Sequence, residues 1–150
     1  DVARLHFLDC AALLGMADFR GKRVIDVGTG AGFPGLALKI ACPDMELTLL
    51  DSLDKRIGFL RDTCTMLGFD DVRCIHARAE EAPAELRAGF DIACSRAVAR
   101  LNLLCGEVED VKKYLVPGTD ATHSAVIIRK TADTPAKYPR RWAQIKKQPL

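Results

Sequence analysis

Two carboxylates and a run of glycines carry the chemistry of this sequence. Asp26 stands two positions before Gly28 in Asp26-Val-Gly28-Thr-Gly30-Ala-Gly32-Phe33-Pro34-Gly35, and Asp51 closes the next apolar run. Glycine lets the backbone take positive φ and lets a ligand come close to it. The free N–H groups of such a turn, and of the helix that follows, are donors aimed at that ligand. The pattern Gly30-x-Gly32-x-x-Gly35 also fits a dinucleotide fingerprint, with Asp51 in the place of the ribose acid. Asp26 discriminates between cofactors. A carboxylate beside the loop repels an anionic pyrophosphate but complements the sulfonium and ammonium of S-adenosylmethionine. The methyl donor is therefore the expected cofactor, with NAD as the rival and a packing turn without ligand as the third reading. The two oxygens of Asp51 suit a vicinal diol on either nucleoside.

Other candidates lie at the ends of later apolar runs. Ala79 and Glu80 are placed to meet an adenine, and Phe33 either lines the pocket or joins the core. Arg96 is costly at the mouth of a sheet unless it meets an anion. That anion is the cofactor carboxylate, an acid such as Asp26, or a nucleic-acid phosphate; a structural ion pair is the plain alternative. Arg96 is accordingly the expected residue of the substrate mouth, and no general base is assigned. Cys94-Ser95-Arg96-Ala97 replaces the Asn/Asp-Pro-Pro-Tyr/Phe that methylases of exocyclic amines carry, so an exocyclic amine target is disfavoured. The 6 cysteines form no C-x-x-C pair and have no histidine at zinc-ligand spacing. They read as small buried hydrophobes in a reducing compartment, and no metal site is expected.

These residues must be held by strands and helices of known length. The spacing predicts helix over 1–20, strands at Arg23–Val27, Glu46–Leu50, Val72–Ile75 and Phe90–Cys94, and helices at Pro34–Ala41 and Asp54–Leu67. On the first helix Leu5, Leu8, Ala12 and Met16 share a face, and His6 reads as a cap or surface residue. On the third, Ile57, Leu60, Cys64 and Leu67 form the inner stripe, with Gly68 as C-cap and Arg56 near the start facing the ligand side. A helix is expected to start at Ala97, followed by a hairpin of Glu107–Tyr114 and Ser124–Arg129 around Pro117-Gly118. Alternation of this kind makes a doubly wound, mostly parallel α/β sheet with a late antiparallel strand. Ligands in such sheets bind beyond the carboxyl ends of the strands, where all the candidates fall.

With 150 residues, 49% hydrophobic and 28% charged, the chain is long enough for one domain. A net charge of +2 neither implies nor excludes nucleic acid. There is no apolar run of membrane-spanning length and no signal-peptide pattern. The chain opens at Asp1 and not at methionine, so a preceding piece is expected. The division is a helical lead-in over 1–22, a Rossmann-like core over 23–130 and a basic tail over 131–150. Lys130, Lys137, Arg140 and Arg141, with Tyr138 and Trp142 interleaved, suit an RNA backbone and exposed bases. A solubilising tail is the alternative.

Taken together, these motifs resemble the ribosomal RNA small-subunit methyltransferase G family, once called glucose-inhibited division protein B. The likeness runs through the glycine loop, Leu50-Asp-Ser-Leu-Asp-Lys-Arg with Phe59-Leu60, Ala77-Arg-Ala-Glu-Glu, Ser95-Arg-Ala-Val-Ala and Val126-Ile-Ile-Arg-Lys. It implies a cytoplasmic bacterial enzyme of class I methyltransferase fold, acting on N7 of one guanine in 16S rRNA. By position, the family's cofactor contacts would fall on Gly28, Phe33, Ala79, Glu80 and Arg96, with Asp51 on the ribose; the loop pattern itself adds Asp26, Gly30 and Gly32 to the expected cofactor set. Their charge makes Arg56, Lys130, Lys137, Arg140 and Arg141 the expected RNA contacts. Partners are 16S rRNA, no membrane, and a monomeric state. Guanine N7 is a bare lone pair, so catalysis needs alignment and no base.

The chain runs from Cys105 into Gly106 with no turn, where a parallel sheet needs a crossover of a dozen or more residues. A segment is therefore expected to be missing there, and the resemblance implies that it includes a strand with an Ala-Leu-Lys-like run. A Cys105–Gly106 Cα spacing beyond the ~3.8 Å of bonded neighbours would show the break.

Overall fold

The computed structural model describes residues 2–82, 86, 89–96 and 106–131. The two central strands, β1 (Arg23–Val27) and β2 (Glu46–Asp51), are buried over almost their whole length, as parallel strands covered on both faces must be. They pair in parallel with each other, β2 with β3 (Arg73–His76) and β1 with β4 (Ile92–Cys94), giving the order β3-β2-β1-β4. Helix α2 (Gly35–Ala41) links β1 to β2, and α3 (Asp54–Leu67) links β2 to β3. Strand order therefore runs outward on one side of β1 and restarts on the other, and the seam between β1 and β4 is a topological switch point.

Core packing explains these elements. Val24, Leu38, Met45, Leu47, Leu49, Ile57 and Leu60 are each no more than 1% exposed. Each such side chain contributes about 1.5–3 kcal/mol by leaving water. The inner stripe of α3 is Ile57, Leu60 and Cys64, whereas Leu67 is 47% exposed, because the helix ends there and turns away. Gly68 is the C-cap in left-handed conformation, with its N–H on the Cys64 and Thr65 carbonyls.

The lead-in differs from the expected helix over 1–20. It is α1 (Val2–Ala11) followed by a single 3-10 turn, Ala12–Gly15, from which the chain bends to bury Phe19. The residues of α1 buried most deeply are Asp9 and Cys10, not the apolar face read from spacing. The cause is tertiary: α1 presents them to polar partners on other elements, described below. Strand bounds shift as well, with β3 one residue later than expected and β4 two residues shorter.

The hairpin is where expected, as β5 (Gly106–Leu115) and β6 (Thr122–Lys130), antiparallel with an irregularity between Val108 and Asp110. It does not join the parallel sheet; it is a separate two-stranded sheet. Only residues 95–105 separate β4 from β5, too few for a crossover helix and another parallel strand. The helix expected from Ala97, Cys105 with its spacing to Gly106, and the tail from 132 with Lys137, Arg140 and Arg141 lie outside the described residues. Among the described residues no helix is long and apolar enough to cross a membrane.

One charged residue went unread in the sequence. Lys39, in the last turn of α2, has a side chain only 3% exposed. Its Nζ donates to the carbonyls of Pro43 (2.7 Å) and Met45 (2.8 Å) and to Asp71 Oδ2 (2.6 Å). All three protons are thus satisfied, and one ammonium ties the end of α2, the turn into β2 and the entry to β3. Removing it leaves the buried Met45 carbonyl without a donor. Lys39→Met is expected to cost about 2–3 kcal/mol, read as a lower urea midpoint with unchanged slope.

Candidate functional site

Strand register sets the site. Val27 lies beside Leu50, Asp26 beside Cys94, and Asp51 beside His76, so all four strands end at one edge. The chain beyond each end is stitched to its neighbour. Gly28 N–H donates to the Leu50 carbonyl (2.8 Å), Ala77 N–H to the Asp51 carbonyl (3.1 Å) and the Ser95 hydroxyl to the Val27 carbonyl (2.6 Å). The glycine loop, Asp51, the 3-10 turn Ala79–Glu81 and Arg96 therefore share one rim.

The loop glycines divide into two uses. Gly28 and Gly30 have φ of +71° and +61°. A side chain on Gly28 would meet nothing within 4 Å, so Gly28 borders open space. At Gly32 a Cβ would lie 3.0 Å from the Leu36 Cβ and 3.1 Å from Leu60 Cδ2, so its bare face packs on the core. At Gly35 it would lie 2.8 Å from the Asp26 Cβ and 2.9 Å from Leu49 Cδ2. Gly35 is there because α2 starts in contact with β1.

Both carboxylates hold this loop. Asp26 is fully buried, and its Oδ2 accepts from Gly35 N–H at 2.9 Å. Burial pushes its carboxyl above the ordinary range, opposed by the Gly35 N–H and the Arg96 charge. Its Oδ1 and the Thr29 hydroxyl are buried without a hydrogen-bond partner among the described groups. Asp51 Oδ2 accepts from Gly30 N–H (2.9 Å) and from Arg56 Nη1 (3.3 Å), while Oδ1 accepts from Leu53 N–H (3.0 Å). Arg56, expected on the RNA side, thus lies across Asp51 with half its side chain still exposed. An Oδ1 lone pair remains for a further donor.

The structure places Arg96 in a cluster that spacing did not reveal. Its Nη2 lies 3.3 Å from His6 Nδ1, its Nη1 3.8 Å from Cys10 Sγ and 3.8 Å from Asp9 Oδ2. Its guanidinium also stands 5.9 Å from the centre of the Phe33 ring, which packs edge-on against Phe7. Phe33 is therefore half-buried between α1 and Arg96, and His6 faces inward and is no cap. Asp9 is the hub. Its Oδ1 accepts from the Tyr114 hydroxyl (2.6 Å) and pairs with His123 Nδ1 (2.8 Å). Burial opposes ionisation of Asp9, and Tyr114, His123 and Arg96 outweigh it, holding the carboxyl below its ordinary value. The available signal was the lone acid, Asp9, in a helix whose other polar side chains are Arg4 and His6.

The cysteines are not poised as nucleophiles. Among the described residues Cys10, Cys42, Cys64, Cys74 and Cys94 are free. Burial pushes the Cys64 thiol up to about 12 and raises Cys10, Cys74 and Cys94 too. No group of three or more metal-binding side chains occurs among the described residues.

With this geometry in hand, residues 1–115 match the family described as rRNA small subunit methyltransferase G. The chain belongs to that family. It is 36% identical to the ribosomal RNA small subunit methyltransferase G of Clostridium perfringens strain 13, covering all of this chain and 79% of that one. The protein of the same name from Thermoanaerobacter is 35% identical over the same shares. The match to the Clostridium relative runs over 189 residues while this chain has 150, so the relative carries 39 further residues inside the matched region. Two solved S-adenosylmethionine-dependent methyltransferases, from Methanococcus maripaludis (described as putative) and Aquifex aeolicus, superpose with TM-scores of 0.56 and 0.52. Their identities are 17% and 23%, and the match covers 63% of this chain in both and 43% and 51% of theirs. The chain thus spans about half the length of those structures, and they establish the class I fold alone. Fold and family support S-adenosylmethionine as the cofactor.

A carboxylate whose folded pKa lies below its unfolded value adds stability above the unfolded pKa and loses it as pH falls through the folded one. Asp9→Asn is accordingly expected to lower stability at pH 7 by about 2 kcal/mol, the order of a lost charge-assisted hydrogen bond. The gap between variant and parent should narrow as pH drops below about 4. Urea unfolding at both ends of that range checks it.

Proposed function

We propose that this chain transfers a methyl group from S-adenosylmethionine to N7 of a guanine in 16S rRNA, as a monomer in the bacterial cytoplasm. The observation that supports the cofactor site is the open space over Gly28, in a loop whose Gly30 and Gly35 N–H groups are held by Asp51 and by the wholly buried Asp26 beneath it. Acceptors at and under the loop favour a ribose and a sulfonium over a pyrophosphate. When bound, S-adenosylmethionine supplies a methyl group on positively charged sulfur.

The chain's own residues would bind and align. Gly28 leaves room for the methionine part. Asp51 Oδ1 accepts from a ribose hydroxyl, and a second hydroxyl reaches Oδ2 as Arg56 moves aside. Ala79 and Glu80 sit on the rim where an adenine lies. Asp26, wholly buried, acts through its field and through its hold on Gly35, with Oδ1 free to accept one more donor. Arg96 stands at the β1/β4 seam, where the target base enters.

The proton inventory supports N7. Three aspartates here are already acceptors for the protein's own donors: Asp26 for Gly35, Asp51 for Gly30 and Leu53, Asp9 for Tyr114 and His123. A nitrogen with a bare lone pair asks none of them for a proton transfer. The 39-residue difference is assigned to the stretch between β4 and β5, where the chain is too short for the crossover. The basic residues Lys130, Lys137, Arg140 and Arg141 are proposed to meet the RNA backbone.

Calorimetric titration with S-adenosylmethionine, S-adenosylhomocysteine and NAD is the test, followed by mass spectrometry of 16S rRNA incubated with the chain. Saturable binding of the first two, none of NAD, and a gain of 7-methylguanosine are expected. Gly28→Val should abolish cofactor binding while leaving the unfolding free energy within about 2 kcal/mol of the parent, the strain of a side chain at positive φ. NAD binding, or unchanged affinity in the valine variant, would overturn the reading.

A further inference from the structure

The start of α3 fronts the glycine loop with apolar surface that the core does not use. Leu53 is 50% and Phe59 55% exposed. Together with Gly30, Ala31, Asp54, Lys55 and Arg56 they line a shallow groove. We propose that this groove is a stacking platform for one base of single-stranded RNA next to the target guanine, with Phe59 under the base and Lys55 and Arg56 against the phosphates. The inference rests on the RNA substrate proposed above and names a surface for it.

Three observations carry it. Lys55 and Phe59 are four residues apart on one helix, so ring and ammonium share a face. An exposed aromatic flanked by cations is the combination that holds single-stranded nucleic acid, because every base has a π-face and every nucleotide a phosphate. The groove also shares Gly30 and Ala31 with the loop, which makes a base seated there a close neighbour of the cofactor space.

The charges agree. Of the two acids nearby, Asp51 is buried beneath Arg56, and Asp54 lies 3.7 Å from His76 Nδ1. The outward rim carries Lys55, the exposed half of Arg56 and one exposed acid, Asp54, so cations outnumber acids there by two to one. Size argues against a protein partner: a stable protein interface takes about 800 Å² and 20–30 residues per side, whereas this groove is a handful of residues wide. A base fits that span.

The test is fluorescence anisotropy of the full chain with a labelled single-stranded 16S rRNA fragment, over a range of salt. Phe59→Ala is expected to weaken binding roughly 5- to 100-fold, the effect of losing one base–aromatic stack. Phe59→Leu should not restore it. Phe59→Trp should, and its indole emission should fall on adding RNA by more than that of the parent's Trp142. Lys55→Ala should lower the log–log salt slope by about 0.7, and Phe59→Ala should leave the slope unchanged. Affinity for S-adenosylmethionine and the thermal midpoint should hold in all four variants. If the parent binds RNA and Phe59→Ala binds it equally well, the platform is wrong and the proposed function stands. If the parent binds no RNA, both fall. If Phe59→Ala changes the sedimentation coefficient and not RNA affinity, the groove is a protein interface and the inference is overturned.

Discussion

Everything at the rim depends on how closely α2 starts against β1. Gly35 N–H bonds to Asp26 at 2.9 Å, and no side chain fits between them. That contact turns the chain back within a few residues of the strand end and sets the loop on its edge. Gly32 packs inward on Leu36 and Leu60, and Gly28 is left facing open space. The buried carboxylate is thus a structural anchor first. Its raised pKa is the consequence of being held there, with one oxygen unpartnered among the described groups.

A second carboxylate does for the periphery what Asp26 does for the loop. Asp9 on α1 receives Tyr114 from β5 and His123 from β6, and stands within ion-pair distance of Arg96 after β4. The hairpin shares no backbone ladder with the parallel sheet. Its attachment to α1 is polar, through these side chains and through Lys112 Nζ on the Met16 carbonyl. Arg96 is therefore tied, through one acid, to elements far from it in sequence.

Chain length between β4 and β5 constrains the sheet in the same direct way. A parallel strand cannot be added without a crossover, and eleven residues do not provide one. The hairpin is left to pair with itself, with Tyr114 and His123 reaching Asp9 of α1 from one face and Val111, Leu115 and Val126 exposed on the other.

The sequence by itself determined the strand–loop–helix at Asp26–Gly35, the alternation of strands and helices along the chain, the C-cap at Gly68 and the hairpin. Each rests on local chemistry: glycine where φ is positive, apolar runs of strand length, turn residues at a fixed offset. Those same local rules led to the likeness that the family match bears out. Tertiary structure alone decided the rest. The buried Lys39, the inward turn of His6, the Asp9 hub and the hold of Arg56 on Asp51 each join residues distant in the chain or on different elements. A polar side chain in a helix reads as solvent-facing until its partners are known. Burial of a charge is decided by the donors and acceptors that three-dimensional packing brings to it, and periodicity holds no record of them.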